Sequence, residues 1–243
     1  MSSQKPISPN KKRWILPIIL IALGGGLSYY VVEYPQDKVV QMFMSYKKIG
    51  LSLGQHVYMV LLSSILAILT SVPLGILLTR SRFKKIAPRV VAIVNVGQTI
   101  PSLAIVALCV GFLGIGARAA ILALWIYSLL PILRNTLTGL MGVENSVIES
   151  AKAMGTKPLR ILTKIEIPLS MSIILAGIRT AITINIGTAI LGGFVGAGGF
   201  GDLIITGNNV SRWQILILGA SLPALMAIFV DYILSILEER IAY

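Results

Sequence analysis

Six long apolar runs, each of at least 19 residues, dominate this sequence. They cover residues 14–32, 55–79, 88–112, 117–139, 169–195 and 213–237. About 20 apolar residues are enough for a helix to cross the hydrocarbon core of a bilayer. We therefore predict an all-α polytopic membrane protein with about six transmembrane helices, one near the N-terminus and five in a core.

The composition excludes a soluble domain and argues against several kinds of site. The chain is 56% hydrophobic and 12% charged, with a mean hydropathy of +0.87. Its net charge of +12 is carried by lysines and arginines at the ends of apolar runs. Such clusters are typical of cytoplasmic loops beside anionic lipid, so we expect a lipid bilayer and no nucleic acid as partner. With one cysteine, Cys109, and one histidine, His56, we predict no metal site.

The distribution of basic residues predicts the orientation of the chain. With the N-terminus inside, 15 of the 21 lysines and arginines fall in inner segments and five in outer ones, and Arg179 lies within a span. We therefore predict that both termini are cytoplasmic. No small-residue cleavage site follows the first run, which favours an uncleaved signal anchor. Residues 1–50 are predicted to form a cytoplasmic tail, this anchor and an external amphipathic linker over 33–50.

The stretch 149–168 is the longest polar interval in the second half of the chain, and it has an apolar stripe. Gly155 suits the left-handed residue that ends a helix, and Pro158 suits the first turn of the next one. The stripe consists of Val147, Ile148, Ala151 and Met154. The pattern predicts a helix–glycine–helix elbow that docks into another protein, but a solvated connecting loop remains open as the alternative.

This stretch resembles the EAA loop of permease subunits of bacterial ABC importers. Glu149-Ser150-Ala151, then Gly155, then Ile165-Glu166-Ile167-Pro168 match its spacing, with Ser for the middle Ala and Ile for the usual Leu. Further segments resemble the glycine betaine/carnitine/choline branch: QTIPSLA at 98–104, YSLLPILRNTLTGL at 127–140, GIRTA at 177–181 and GAGGFGDLI at 196–204. The resemblance covers about residues 54–237, and we predict a type I permease domain over 51–238.

The resemblance implies a multi-pass subunit of the bacterial cell membrane that works by alternating access. Its expected partners are two ATPase subunits, which bind ATP and Mg²⁺, a second permease copy or paralogue, and an external solute-binding protein. The EAA helix would sit in a groove of the ATPase, with the small Ala151 permitting close approach. The residues assigned to this coupling are Val147, Ile148, Glu149, Ala151, Met154, Gly155, Ile165 and Pro168.

The chain carries no recognisable catalytic or nucleotide-binding motif. GAGGFG at 196–201 fits the dinucleotide fingerprint in letters only, because an apolar span precedes it and the acidic Asp202 follows at once. No G-x-x-x-x-G-K-[ST] motif occurs. We therefore predict a transport subunit that is not an enzyme and holds no cofactor. Gly198 and Gly199 are expected to form a sharp turn at the outer end of a span, with a gate-lining role as the alternative.

A few polar residues and one proline lie within the predicted spans. Arg179 is costly there, by ~2.5–3.5 kcal/mol on insertion scales, and we hypothesise an ion pair with Asp231; snorkelling to the interface is the alternative. The other candidates for the translocation pathway are Gln98, Pro101, Ser102 and Asn185. Polar residues of this kind more commonly form hydrogen bonds between helices, and Pro101 is expected to kink its span.

The predicted cargo is a quaternary-ammonium osmoprotectant such as glycine betaine, carnitine or choline. Recognition of such cations needs an aromatic cage, but aromatic residues make up only 7% of the chain, and we expect no binding domain fused behind the last span. We therefore expect the cage on the separate binding protein. An amino acid or thiol-betaine cargo remains open. A stand-alone secondary transporter or channel is the rival class, although no coupling-ion site, filter or internal repeat is evident.

Overall fold

The computed structural model describes residues 11–241, so most of the predicted N-terminal tail lies outside it. Within this range the chain forms helices and turns and no strand. The helices are α1 (Ile15–Glu33), α2 (Lys38–Phe43), α3 (Tyr46–Thr79), α4 (Ala87–Thr99), α5 (Ser102–Leu113), α6 (Ala117–Met141), α7 (Asn145–Ala153), α8 (Pro158–Ile161), α9 (Ile167–Thr188), α10 (Phe200–Asn209) and α11 (Trp213–Ile241). The all-α prediction is confirmed.

Five helical segments are long and apolar enough to cross a membrane, and a sixth crossing results if the bent pair α4–α5 counts as one. The five are α1, α3, α6, the continuous segment Pro158–Val195 that contains α9, and α11. Each overlaps a predicted run. Helix α3 begins at Tyr46 rather than near residue 55, because the polar residues of its first turns continue the helix.

Close contacts at glycines fix the directions of the core helices. Gly75, near the end of α3, lies against Thr136, near the end of α6, so these two helices run in parallel. Gly139 of α6 lies against Ser170, near the start of α9, so α9 runs the opposite way. Since α3 and α6 are parallel, the chain between them must return across the bundle. The bent pair α4–α5 provides this return, which supports counting it as one broken span.

The two ends of the described chain lie at the same end of the bundle. Arg13 forms an ion pair with Glu239 at 3.0 Å, and Gly24 of α1 packs near Leu222 and Leu225 of α11. Helices α1 and α11 are therefore antiparallel. Thr183 of α9 contacts Asp231 of α11, and the earlier Arg179 contacts the later Glu238, so the start of α9 lies beside the end of α11. The elbow formed by α7 and α8 directly precedes α9 and therefore lies at this end too. We call this the elbow end, and the opposite end the glycine-loop end.

The third predicted span is broken where a kink was expected. Helices α4 and α5 meet at an angle of 97°. Ile100 between them has extended backbone torsions, with ψ of 135°, because the ring of Pro101 disfavours helical torsions in the residue before it. The break is braced from α6: the Gln98 amide donates to the carbonyl of Tyr127 at 2.8 Å, and the Tyr127 hydroxyl donates to the carbonyl of Ile100.

Residues 33–50 form part of the bundle, whereas the sequence suggested a linker lying along the interface. Asp37 caps the short helix α2 by accepting from the N–H of Val40, and the side chain of Val40 is fully buried. Val40, Met44 and Ile49 pack with Val31, Phe200, Leu203, Ile215 and Leu218. Four of these partners belong to α10 and the first turns of α11. Helix α10 itself was missed by the sequence analysis, which placed a turn at 196–202 and assigned no helix after it.

Candidate functional site

The elbow has the helix–glycine–helix geometry that its sequence predicts. Gly155 has φ of +75°, in the left-handed region. The N–H of Gly155 donates to the carbonyl of Lys152 at 2.9 Å, and the N–H of Thr156 donates to the carbonyl of Ala151 at 3.1 Å. This pair of bonds is the Schellman motif, which satisfies the last carbonyls of α7. Helix α8 starts at Pro158 as expected, and a π-helical turn, Leu162–Glu166, joins it to α9.

The apolar stripe of the elbow is divided between the surface and the interior. Met154 is 78% exposed, and Val147 and Glu149 are also exposed. Ala151 is only 1% exposed, so its methyl group faces the interior of this chain and does not lie at the surface as expected. Leu159 of α8 is 72% exposed and extends the apolar surface beside Met154. The sequence analysis did not assign Leu159, although its position one residue after Pro158 places it on the second arm of the elbow.

The remaining coupling candidates lie around the elbow without forming one face. Ile148 and Ile165 are half-buried, and Pro168 is exposed in the first turn of α9. Their contact with a partner therefore remains a prediction.

An ion pair joins the elbow to the end of α3. Glu166, at the end of the π turn, is 7% exposed and accepts from Arg80 at 2.5 Å. The Arg80 guanidinium also donates to the carbonyl of Ile76 and to the hydroxyl of Thr79. No functional role was assigned to this pair from the sequence. The signal that could have indicated it is an acid directly before an apolar span, in a part of the sequence where basic residues outnumber acidic ones.

Asn185, a predicted pathway residue, lies in the buried interface between α9 and α3. Its side-chain amide donates to the hydroxyls of Ser63 and Ser64, at 3.1 and 3.0 Å. About two turns before Ser63 on α3, His56 forms a hydrogen bond with the carbonyl of Ile186. Asn185 is 0% exposed. The observed bonds match the alternative of interhelical hydrogen bonding.

The candidates near the broken span are placed differently. The side-chain amide of Gln98 donates the hydrogen bond to the carbonyl of Tyr127 that braces the break. Pro101 is exposed and Ser102 half-buried at the start of α5. A role of these residues in the translocation pathway remains a prediction.

The hypothesised ion pair between Arg179 and Asp231 is present, at 3.5 Å. The sequence analysis missed that Arg179 also contacts Glu238, at 3.2 Å. Glu238 lies about two turns beyond Asp231 on α11, toward the elbow end. The arginine therefore bridges two acids on one neighbouring helix, and its charge is balanced inside the bundle.

The glycine loop at the opposite end is held by the first turns of α3. Gly198 and Gly199 have φ of +78° and +80°, as a sharp turn requires. The Gln55 side chain accepts from the N–H of Gly199 at 2.9 Å, and Lys48 forms an ion pair with Asp202 at 2.5 Å. The sequence analysis assigned no role to Gln55 or Lys48. These contacts describe a packed turn; a gate-lining role of the glycines remains a prediction.

Comparison with known proteins places this geometry in a known context. The sequence model of one family, described as the binding-protein-dependent transport system inner membrane component, matches residues 71–243. The chain is 42% identical over 189 residues to the glycine betaine/carnitine/choline transport system permease protein OpuCD of Bacillus subtilis, covering 77% of this chain and 82% of that relative. It is 47% identical over 188 residues to the carnitine transport permease protein OpuCB of Listeria monocytogenes, covering 77% and 85%.

A solved structure has a similar fold. An inward-facing structure of the MetNI methionine ABC transporter matches with a TM-score of 0.75 at 21% identity, over 82% of this chain and all of the matched chain. At this level of identity the match concerns the fold alone.

Proposed function

Because this chain belongs to the family of binding-protein-dependent transport system inner membrane components, we propose that it imports quaternary-ammonium osmoprotectants such as glycine betaine, carnitine or choline. The observation that carries the proposal is its 42–47% identity, over about three quarters of the chain, to permeases named for these solutes. The chain is a multi-pass permease subunit of a bacterial plasma membrane, and it provides the membrane-spanning part of an ATP-driven importer.

We infer an assembly of two permease subunits, two ATPase subunits and an external solute-binding protein. The elbow and both ends of the described chain lie at one end of the bundle, where most basic residues are found, and we assign this end to the cytoplasm. The glycine-loop end then faces the binding protein. ATP and Mg²⁺ are held by the ATPase subunits, and they supply the energy of the transport cycle.

The ATPase contact of this chain is assigned to the exposed part of the elbow. Val147, Met154 and Leu159 offer an apolar surface, and Glu149 stands beside it for a basic group of the partner. Ala151 is buried within this chain, so it does not belong to the exposed contact surface. Binding of ATP closes the ATPase pair and brings the two elbows together, so that the spans open outward; hydrolysis resets them inward.

The solute itself needs little affinity for this chain. A trimethylammonium group is bound well by aromatic rings around the cation. The external binding protein can supply such a cage and release the solute into the pathway. Weak contacts along the pathway then suit transport, because a solute that binds tightly within a span leaves slowly.

Uptake by the reconstituted complex tests the proposal. Proteoliposomes with permease, ATPase and binding protein are expected to accumulate labelled glycine betaine, carnitine or choline only when ATP is present. Competition by unlabelled methionine and by a thiol-betaine serves as the comparison for other solutes. Preferential uptake of an amino acid would replace the proposed cargo, and uptake by the permease alone would replace the importer class.

A further inference from the structure

The contact between Arg80 and Glu166 joins the end of α3 to the elbow, although the two residues are 86 positions apart in the sequence. Arg80 is the C-cap residue of α3, and Glu166 is the last residue of the π turn that connects the elbow to α9. The guanidinium folds back over the end of its own helix, where carbonyls are without intrahelical partners and attract a cation. From that position it reaches the Glu166 carboxylate at 2.5 Å.

Among residues 11–241, Arg80 is the one basic residue that forms an ion pair with Glu166. The sequence has no acidic residue between positions 38 and 143, and Arg82, Lys84 and Lys85 follow Arg80 directly. Those three side chains are exposed, and none takes part in an ion pair among residues 11–241. Glu166 is nearly buried, so its carboxylate depends on Arg80 for compensation of its charge.

Each of the two residues lies at a joint of the chain. The carbonyl of Arg80 accepts from the N–H groups of Phe83 and Lys84, which starts the turn from α3 into α4. The far end of α4 is the 97° break of the third span. Glu166 is the last residue of a single π-helical turn. Such turns are rare in proteins, and those that occur are often found at functional sites. A displacement of the elbow therefore reaches both α3 and the broken span through this pair.

We propose that the Glu166–Arg80 ion pair is the joint that transmits movement of the elbow to α3 and to the broken span. Both residues are positioning residues for the ATP-driven step, and their role rests on the proposed function of the elbow as the ATPase contact. The pair acts by keeping the end of α3 in register with the elbow as the latter moves.

The apolar packing of the bundle does not depend on this pair. Gly75 contacts Thr136 between α3 and α6, and Gly139 contacts Ser170 between α6 and α9. Leu78 packs with Leu133 and Leu137 at the same level. Loss of the ion pair is therefore expected to change transmission more than assembly, and this separates a coupling role from a purely structural one.

The test compares Glu166→Gln and Arg80→Gln with Arg80→Lys, which keeps the charge, and with Arg13→Gln, which breaks the exposed pair to Glu239. Each variant is assembled with its ATPase. A fluorophore sensitive to its surroundings is attached at Arg160→Cys on the elbow, outside the apolar surface assigned to the ATPase contact, or at Ile93→Cys on α4. Both side chains are exposed, whereas the native Cys109 is buried. Fluorescence with and without Mg-ATP, and solute uptake per ATP hydrolysed, are measured on the same complexes.

We expect Mg-ATP to change both signals in the wild type. In Glu166→Gln and Arg80→Gln the Arg160 signal should persist, while the Ile93 signal and the uptake per ATP fall about fivefold or more, as for a typical coupling between sites. Arg80→Lys should retain a part of both, and Arg13→Gln should resemble the wild type.

Three results would overturn the proposal. These are an unchanged Ile93 signal in both neutral variants, loss of the Arg160 signal together with the Ile93 signal, and a wild-type Ile93 signal that does not respond to Mg-ATP. The fluorescence signals need no solute. A complex that moves normally but does not import quaternary amines would therefore refute the proposed cargo and leave the joint supported.

Discussion

The side chain of Gln55 accepts a hydrogen bond from the backbone N–H of Gly199, with 2.9 Å between nitrogen and oxygen. The contact joins the third turn of α3 to the glycine loop, 144 residues further along the chain. One residue further on in each segment, Phe200 lies beside the ring of His56, with 4.9 Å between the ring centroids. The loop is therefore held by side chains of α3.

The first prediction concerns Gly198, which lies directly against Gln55. A methyl group at Gly198 would meet the Gln55 amide, and the φ of +78° adds strain of about 1–2 kcal/mol for any other L-residue. We expect Gly198→Ala to lower the melting temperature of the detergent-solubilised protein and to reduce uptake. Gln55→Ala in the same chain should relieve the steric part only. If the double variant is no more stable than Gly198→Ala, the contact with Gln55 does not limit this position.

The second prediction concerns the crossing of Gly201 with the 3-10 turn Ala189–Val195 that follows α9. A Cβ at Gly201 would collide with the carbonyl oxygen of Ile190, which is backbone and has no alternative rotamer. Overpacking of this kind typically costs about 1–3 kcal/mol or more. We expect Gly201→Ala to lose most folded protein, measured as the monodisperse fraction after solubilisation. Gly187→Ala is the matched control, because a Cβ there has no atom within 4 Å. Equal yields of the two variants would contradict the prediction.

The third prediction concerns the charges inside the bundle. Arg179 contacts both Asp231 and Glu238, so the loss of one acid leaves it a partner, whereas the loss of the arginine leaves two unpaired acids. We expect Arg179→Gln to lower stability and uptake more than Asp231→Asn or Glu238→Gln. Buried charges without a partner cost several kcal/mol, and partial exposure of all three side chains reduces this to about 1–2 kcal/mol.

The control for this cluster is a compensating change. The double variant that combines Arg179→Asp with Asp231→Arg exchanges the two charges. It should restore part of the uptake that is lost in either single variant. If Asp231→Asn is as damaging as Arg179→Gln, Glu238 does not share the charge.

The fourth prediction concerns Gly155 in the elbow. A Cβ at this position has no atom within 4 Å, so a substitution is opposed by the left-handed backbone alone. We expect Gly155→Asn to retain more uptake than Gly155→Val, because Asn tolerates this conformation best and a β-branched residue worst. Gly155→Asp is expected to abolish transport, and Glu149→Lys as well, while both proteins still insert in the membrane.

Binding of the ATPase distinguishes the causes of these losses. Pull-down of the ATPase should be weakened by each of the damaging variants, with Gly155→Asn near the wild type. Wild-type pull-down by Gly155→Asp would count against a docking role of the elbow.

The fifth prediction concerns the pH dependence of the segment that contains α2. The N–H of Val40 donates to the Asp37 carboxylate, and together with the nearby Arg212 guanidinium this holds the pKa of Asp37 below its usual value. A lowered pKa in the folded state means that the stabilisation is present above about pH 4, the usual value for Asp. It is lost as the pH falls through the lower folded-state value.

Amide hydrogen exchange of residues 38–43 can measure this effect. Protection in the wild type should fall on acidification below about pH 4. Asp37→Asn keeps a side-chain oxygen for the cap but no titrating charge, so its protection should be lower and nearly independent of pH in that range. A parallel pH response in both proteins would assign the titration to another group.

The membrane class, most of the spans and the elbow were predictable from the sequence, because each depends on local patterns. About 20 apolar residues determine a spanning helix wherever it packs. Gly155 and Pro158 mark the elbow through backbone conformations that few other residues adopt. The pair of Arg179 and Asp231 was also predictable, since a charge in a span needs a partner and few acids were available.

Other features depended on how distant segments meet, and only the tertiary structure decided them. Ala151 belongs to the apolar stripe of α7 in sequence, but its burial depends on how α7 packs against its neighbours in the fold, α8 among them. The full break at Pro101 is braced by Tyr127 from another helix, and the ion pair of Glu166 with Arg80 joins residues that no local pattern relates. Side-chain periodicity determines which residues form a helix face; the packing of helices determines what that face contacts.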